Sequence, residues 1–169
     1  MKPYLKTVHA HRATLGLRFA NYLIDTIVIF SLFFFLGVFS VLLYTFLDIK
    51  LFYNWVTYLE NMSRLEDTII TAITTLIYYF TMEYFTKGRT IGKWITGTKV
   101  ISIDGKTPDA KQLFYRTLSR IVPFDGLSFL FSENGWHDQW SDTRVIKIKS
   151  YHRSITSKTE IDNIGKKDA

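Results

Sequence analysis

The stretch LRFANYLIDTIVIFSLFFFLGVF, residues 17–39, decides the fold of this chain. It belongs to a longer apolar run, residues 19–47, in which Asp25 is the only acidic or basic side chain. A helix of that length, rising about 1.5 Å per residue, exceeds the roughly 30 Å hydrocarbon core of a bilayer. The run is also too long for a signal-peptide core and lacks a small-residue cleavage site. We therefore predict a retained transmembrane helix.

A second apolar stretch, TIITAITTLIYYFTMEYF at residues 68–85, contains only Glu83 as a charged residue and predicts a second transmembrane helix. The charges around the two stretches indicate the orientation. Only bases precede the first one, namely Lys2, Lys6, Arg12 and Arg18. Residues 86–122, after the second, carry eight bases and two acids. Because short basic flanks stay inside, we expect both termini in the cytoplasm.

The chain then divides into six segments. They are a cytoplasmic N-terminal segment (1–18), transmembrane helix 1 (19–47), an external loop (48–67), transmembrane helix 2 (68–85), a cytoplasmic basic region (86–152) and a disordered tail (153–169). The fold class is thus an α-helical integral membrane protein with two transmembrane helices. We predict disorder for the tail because it is polar and shows no hydrophobic periodicity.

The basic region contains several predicted elements. TKVISIDGKTP (98–108) reads as a strand ending in a turn at Asp104-Gly105, and TRVIKIK (143–149) is a candidate partner in a small hairpin-like pairing. Between them, residues 109–122 predict an amphipathic helix at the cytoplasmic interface of the membrane. One face of this helix is expected to carry Ala110, Leu113, Phe114, Thr117 and Ile121. Residues 121–131 are too short to span a bilayer and form either a re-entrant or an interfacial third segment.

Polar residues within the first apolar helix are the first candidate site. Arg18, Asn21 and Asp25 are spaced i, i+3, i+7 and share one helical face. A charged side chain at the bilayer centre costs about 2.5–3.5 kcal/mol or more, so it normally has a partner. Asp25 is therefore either a buried contact that fixes helix packing or a proton, ion or ligand site. Glu83 would lie level with Arg18 in antiparallel helices, where the two could touch.

Other chemistry is poorly supported by the sequence. GRTIGKWITG (88–97) lacks the spacing and the Ser/Thr of a nucleotide-binding P-loop. His137 and Asp138 are adjacent, and adjacent side chains do not point to one metal ion. No catalytic triad or carboxylate pair stands out, so we expect no enzyme, metal or cofactor. The net charge of +6 is explained by insertion and anionic lipid rather than by nucleic acid.

Together these motifs resemble the RDD family of bacterial membrane proteins, named for an arginine and an aspartate of the first membrane helix and a second aspartate. Arg18 and Asp25 stand in LRFANYLID, and Asp138 is the second aspartate within WHDQWSDTRVI. Further family-motif positions are Arg89, Gly92, Lys93, Asp104, Gly105, Arg116, Arg120, His137 and Thr143. Residues 139–142, QWSD, depart from the smaller, more apolar turn of relatives. The resemblance implies a multi-pass protein of the bacterial inner (cytoplasmic) membrane.

For some members of that family, transport of an unknown ligand or cation/proton exchange has been suggested. We therefore expect a transport-related protein that acts on an unidentified ion or small ligand as a homo-oligomer, since two helices enclose no aqueous path. The alternative is a non-transporting scaffold or accessory protein. It would bind a membrane partner or anionic lipid through a basic cytoplasmic face formed by Lys93, Lys99, Lys111, Arg116 and Arg120.

Overall fold

The structure is a computed structural model that describes residues 6–122 and 135–167. Most of the predicted third segment, 121–131, lies outside the described residues. The elements in chain order are α1 (Lys6–Ala10), α2 (Leu15–Leu47), α3 (Lys50–Glu60), α4 (Arg64–Phe85), α5 (Ile91–Thr96), β1 (Thr98–Ser102), α6 (Ala110–Ser119), α7 (Trp136–Trp140), β2 (Thr143–Lys147) and α8 (Ile148–Lys167).

The long helix α2 has the inside-out character of a membrane helix. Its large apolar side chains, such as Phe30 and Phe34, are exposed. Its buried residues are mainly polar, namely Arg18, Asn21, Asp25, Ile29 and Ser40. Among the described residues, α2 is the one helix with the length and hydropathy to cross a membrane. It begins at Leu15, four residues before the predicted start, so Arg18 is part of the helix.

The helix α4 is also of spanning length, at 22 residues or roughly 33 Å. It begins with a capping box in which the backbone N–H of Ser63 donates to Glu66 at 2.9 Å. Glu66 and Asp67 in the first turn favour a helix start there, because they complement the positive end of the helix dipole. These charges and the threonines make α4 less apolar than α2. Ile69, Ile73 and Ile77 project outward at helical spacing.

Beyond the long helices, a two-stranded antiparallel sheet organises the rest of the chain. β1 and β2 pair with Val100 opposite Val145, the partners that the alternating runs suggest, although β2 ends at Lys147. One sheet face packs on α1 and α8 in a cluster of Val8, Ile101, Ile146 and Tyr151. The other face carries Val100 and Val145 against Ala13 and the start of α2. The sheet is thereby attached to the N-terminal end of α2.

Two elements differ from the sequence-based expectation. The tail predicted to be disordered from residue 153 continues α8, which is helical to Lys167. β2 leads directly into this helix, and Tyr151 anchors its first turn in the apolar cluster. On α6, the predicted apolar face is divided, because Leu113 and Thr117 are buried whereas Phe114 and Ile121 are exposed. The inward side of α6 is set by polar contacts instead, which periodicity of apolar residues does not reveal.

Candidate functional site

The polar face of α2 is buried where this helix meets α5, β1 and α7. Arg18, Asn21 and Asp25 are all buried, and Asp25 is only 1% exposed. Their common face follows from the spacing of three and four residues. Each of the three side chains contacts a different part of the chain, so together they fix how α2 packs against α4, α5, β1 and α7.

Asp25 accepts three hydrogen bonds from uncharged donors. The Tyr78 hydroxyl and the Gly92 backbone N–H each donate to Oδ1 at 2.8 Å, and the Thr90 hydroxyl donates to Oδ2 at 2.7 Å. The approach of α5 depends on the missing side chain of Gly92, since a Cβ there would lie 2.6 Å from the carbonyl oxygen of Asn21. Asp25 therefore joins α2 to α4 and to the start of α5.

Asn21 connects α2 to the first strand. Its Nδ2 donates to the Thr98 hydroxyl at 3.0 Å, and its Oδ1 accepts from the Thr96 hydroxyl. The two threonine hydroxyls are 3.0 Å apart. Asn21 thus uses both ends of its amide at the junction between α5 and β1.

Glu83, in the last turn of α4, is fully buried and is contacted by cations from two elements. The Lys93 Nζ lies 2.8 Å from Oε1, and the Arg116 Nε lies 3.2 Å from Oε2. Burial lowers the pKa of Lys93, while the neighbouring Glu83 carboxylate opposes that shift. This cluster fixes both α5 and α6 to the end of α4.

Asp138 receives two arginines, Arg18 of α2 and Arg116 of α6. Arg116 also donates to the Thr143 hydroxyl at 2.8 Å. The contact between Arg18 and Glu83 that the sequence suggested is therefore replaced by a relay. It runs from Arg18 through Asp138 and Arg116 to Glu83. A direct pair was the wrong expectation because Asp138, distant in sequence, lies between the two.

Arg120 and Tyr79 complete the cluster on the α4 side. The guanidinium of Arg120 stacks 3.8 Å from the centroid of the Tyr79 ring, a close cation–π contact. The Arg120 Nη2 also lies 3.8 Å from Oε1 of Glu83. Tyr79 is buried, so α6 is held on α4 by stacking as well as by charge.

A small cavity lies at the centre of these residues. Its volume is about 30 Å³, close to the share of one water molecule in the liquid. The lining residues are Arg18, Asn21, Tyr22, Asp25, Tyr79, Lys93, Arg116, Arg120, His137 and Val145. Burial, reinforced by Arg116 and Arg120, lowers the pKa of His137 well below its ordinary value. His137 is therefore an uncharged member of a strongly charged lining.

Some predicted residues lie outside this cluster. Asp104 accepts from the Lys106 backbone N–H at 3.1 Å, and Gly105 has a positive φ of 84°, so both serve the turn after β1. Arg89 is half-buried, and its backbone N–H donates to the Thr86 hydroxyl at 3.0 Å. These family-motif positions shape turns and do not line the cavity.

The five bases predicted to form a basic face do not form one continuous exposed surface. Lys93 and Arg116 are buried and paired with Glu83, and Arg120 is mostly buried against Tyr79. Lys111 is exposed and Lys99 is half-buried. The sequence showed where positive charge is concentrated, but it did not show that the acids balancing it come from α4 and α7.

The sequence did not identify several hydroxyl-bearing partners. Thr90 and Thr98 are fully buried against Asp25 and Asn21. A signal for Thr90 existed, because a threonine just before a short helix is a common N-cap, and its hydroxyl accepts from the Lys93 backbone N–H at 3.3 Å. Within residues 6–122 and 135–167, no three His, Asp or Glu side chains cluster so that they could hold a metal ion.

Comparison with known protein families gives a match that covers most of the chain. The RDD family model matches residues 12–142, which include every residue that lines the cavity except Val145. No curated protein and no solved structure matches the chain. The family match extends over more than half of the sequence, from before α2 to the turn that precedes β2. The chain belongs to the RDD family.

Proposed function

We propose that α4 is a second membrane span and that both termini lie in the cytoplasm of a bacterial cell. The buried cluster supports this topology, because it joins the first turns of α2 to the last turns of α4, as antiparallel spans require. The basic residues that flank the two helices indicate the same orientation in the membrane. The connecting segment between the spans, residues 48–63, would then face outward, with the amphipathic α3 near the surface.

Cysteine labelling tests this topology, since the chain contains no cysteine. Single variants Lys106→Cys and Glu160→Cys should resist a membrane-impermeant maleimide in intact spheroplasts and react after lysis. Thr57→Cys on α3 should react in the intact cells. Strong labelling of residue 106 or 160 from outside would show the opposite orientation.

For function, we propose that the protein takes part in moving a proton, an ion or a small ligand across the membrane as an oligomer. One observation carries this proposal. Among the described residues, Asp25 has no cation at salt-bridge distance and is held by three uncharged donors beside the cavity. Glu83 and Asp138 are neutralised by lysine and arginine, so Asp25 is the acid whose charge remains available to a mobile proton or cation.

An oligomer is part of the proposal because the two long helices do not form a channel by themselves. Between α2, α3 and α4 lies an apolar cavity of about 500 Å³, lined by residues such as Phe33, Val56 and Ile70. The outer parts of α2 and α4 are thus separated rather than closed around a polar path. We include no catalytic role in this proposal.

Reconstitution into liposomes with entrapped pH- and ion-sensitive dyes tests transport. Wild type should show a flux, and Asp25→Asn should abolish it while the protein remains folded, because the amide cannot take up a proton or balance a cation. Tyr79→Phe is a matched control, since it changes another cavity-lining residue but keeps the ring under Arg120. A flux that is unchanged in Asp25→Asn would refute the assignment to Asp25.

The second candidate function is an accessory protein that binds anionic lipid. Three lysines on or beside β1 and α6 favour it, because Lys106 and Lys111 are exposed and Lys99 is half-buried. Native mass spectrometry of the purified protein tests this alternative. If it is correct, Lys106→Ala/Lys111→Ala should retain less anionic lipid than wild type, and wild-type liposomes should show no flux.

A further inference from the structure

The helix α6 is amphipathic with its polar side facing the protein. Its inward residues are Gln112, Leu113, Arg116, Thr117 and Ser119, all of them buried. Its outward residues are apolar or aromatic, namely Phe114, Tyr115, Leu118 and, just after the helix, Ile121. Phe114 and Ile121 are 51% and 54% exposed, which is unusual for large apolar side chains on one face of a helix in contact with water.

The outward face of α6 continues an apolar stripe of α4. That stripe consists of the exposed Ile69, Ile73, Ile77 and Tyr84, with the half-buried Phe80 between them. The Phe80 ring stacks with Tyr84 at 5.8 Å and meets the Phe114 ring edge-on at 6.4 Å. Phe114 in turn contacts Tyr115 at 6.1 Å. The surface that α4 presents to lipid therefore runs on to α6 without a polar interruption.

The depth of α6 is set by its ion pairs. Arg116 and Arg120 both reach Glu83, which lies two residues before the end of α4 at Phe85. The helix is therefore held at the level where α4 leaves the apolar part of the bilayer. Lys111, at the N-terminal end of the outward face, has a long side chain that can extend to the headgroups.

We propose that α6 is an interfacial helix whose outward face, Phe114, Tyr115, Leu118 and Ile121, lies in the cytoplasmic leaflet. The occupant of this face is the boundary between headgroups and acyl chains of the same bilayer that α2 crosses. The inference rests on the proposed topology, in which α4 is a span. It reverses the expectation of a basic lipid-binding face, because Arg116 and Arg120 are used for ion pairs within the protein and contact with lipid is made mainly by apolar groups.

Spin labels on the full-length protein in liposomes test this proposal. Single cysteines at Phe114, Leu118 and Ile121 would carry a nitroxide, and collisions with oxygen and with a water-soluble nickel complex would be measured. Phe34→Cys on α2 provides the lipid reference and Lys106→Cys the aqueous reference. Ile77→Cys on α4 reports separately whether α4 lies in the membrane.

We expect the three labels on α6 to have more oxygen collisions and fewer nickel collisions than position 106, with values between those of positions 106 and 34. The result should be the same in liposomes of neutral lipid and with added anionic lipid. Nickel access at 114, 118 and 121 equal to that at position 106 would overturn the proposal, as would shielding from both reagents, which indicates a protein surface over α6. A requirement for anionic lipid would also overturn it. Nickel access at position 77 would refute the topology itself.

Discussion

Arg18 in α2 and Asp138 in α7, 120 positions apart in sequence, form one buried ion pair. The two residues that the sequence analysis matched to the arginine and the second aspartate of the family are therefore in contact, while Asp25, matched to the first aspartate, lies two turns further along α2. Arg116 contacts the other oxygen of Asp138. The pair therefore connects α2 with α7 and, through Arg116, with α6 and with Thr143 of β2, so its loss should affect several elements at once.

Removing the carboxylate of Asp138 should strongly destabilise the protein. Asp138→Leu removes the carboxylate that both Arg18 and Arg116 contact, and breaking a buried ion pair by removing one partner typically costs about 3–5 kcal/mol. The measurement is reversible unfolding in mild detergent micelles. Asp142→Asn is the control, because it removes a carboxylate from the exposed turn that follows and asparagine tolerates the positive φ of 50° at this position; it should change the free energy of unfolding much less.

A double-mutant cycle isolates the pair itself. Arg18→Met combined with Asp138→Leu should be less destabilising than the sum of the single changes, with a coupling of about 0.5–3 kcal/mol. Strict additivity of the two effects would show that Arg18 and Asp138 do not interact in the folded protein.

At Asp25, asparagine and leucine should have different effects on folding. Asparagine can keep its Oδ1 toward Tyr78 and Gly92 and donate its amide to the Thr90 hydroxyl, so the fold should survive with a small loss. Leucine accepts none of these bonds, and each buried group left unpaired costs about 1–3 kcal/mol. Thermal unfolding in micelles should rank wild type, Asp25→Asn and Asp25→Leu in decreasing order. Equal stability of the two variants would contradict the hydrogen-bonded geometry.

Gly92→Ala should loosen the contact between α2 and α5. Its new Cβ would lie 2.6 Å from a backbone oxygen of Asn21, so the two helices must move apart. Overpacking of this kind typically costs about 1–3 kcal/mol. Gly16→Ala is the matched control, because nothing lies within 4 Å of its added Cβ. That control should leave the stability unchanged or raise it slightly, as expected for alanine in a helix. A similar response to both substitutions would rule out the close approach.

The stability of the protein should decline in mild acid because of His137. The folded state lowers the pKa of His137 well below 6.5 by burial, with Arg116 as the next cause. Below pH 6.5 the unfolded chain therefore binds a proton that the folded protein does not bind, and the free energy of unfolding falls with decreasing pH. The slope for one such group is up to about 1.4 kcal/mol per pH unit.

The substitution His137→Gln should flatten this dependence between about pH 6.5 and 5. His152→Gln is the control, because His152 is an exposed histidine on α8. This variant should keep the wild-type slope. If the slope persists in His137→Gln, another group is responsible for it.

The sequence was sufficient for features that depend on local spacing. The uninterrupted apolar run predicted α2, and intervals of three and four residues put Arg18, Asn21 and Asp25 on one face. The alternating runs indicated the strands. Each of these inferences needs only the geometry of one element, because a helix or a strand fixes which of its own residues share a side.

The parts that could not be predicted depend on contacts between distant elements. The sequence does not show that Asp138 would be placed between Arg18 and Arg116, or that Lys93 would turn inward to Glu83. The same applies to α6, whose inward side is polar because Arg116 contacts the buried carboxylates of Glu83 and Asp138. A pattern analysis that assumes apolar residues face the protein assigns the wrong side to such a helix, since lipid reverses that rule for its outward face.

The pairing of Arg18 with Asp138 also has a consequence for biogenesis. At a synthesis rate of about 5–20 residues per second, Asp138 emerges from the ribosome roughly 6–24 s after Arg18. During that interval α2 must enter the bilayer with an arginine whose carboxylate partner has not been made. In the proposed topology, the positive charge at this end can hold the nascent helix at the cytoplasmic surface during that time. The same guanidinium would thus first act as a topogenic signal during insertion and only later become part of the finished fold.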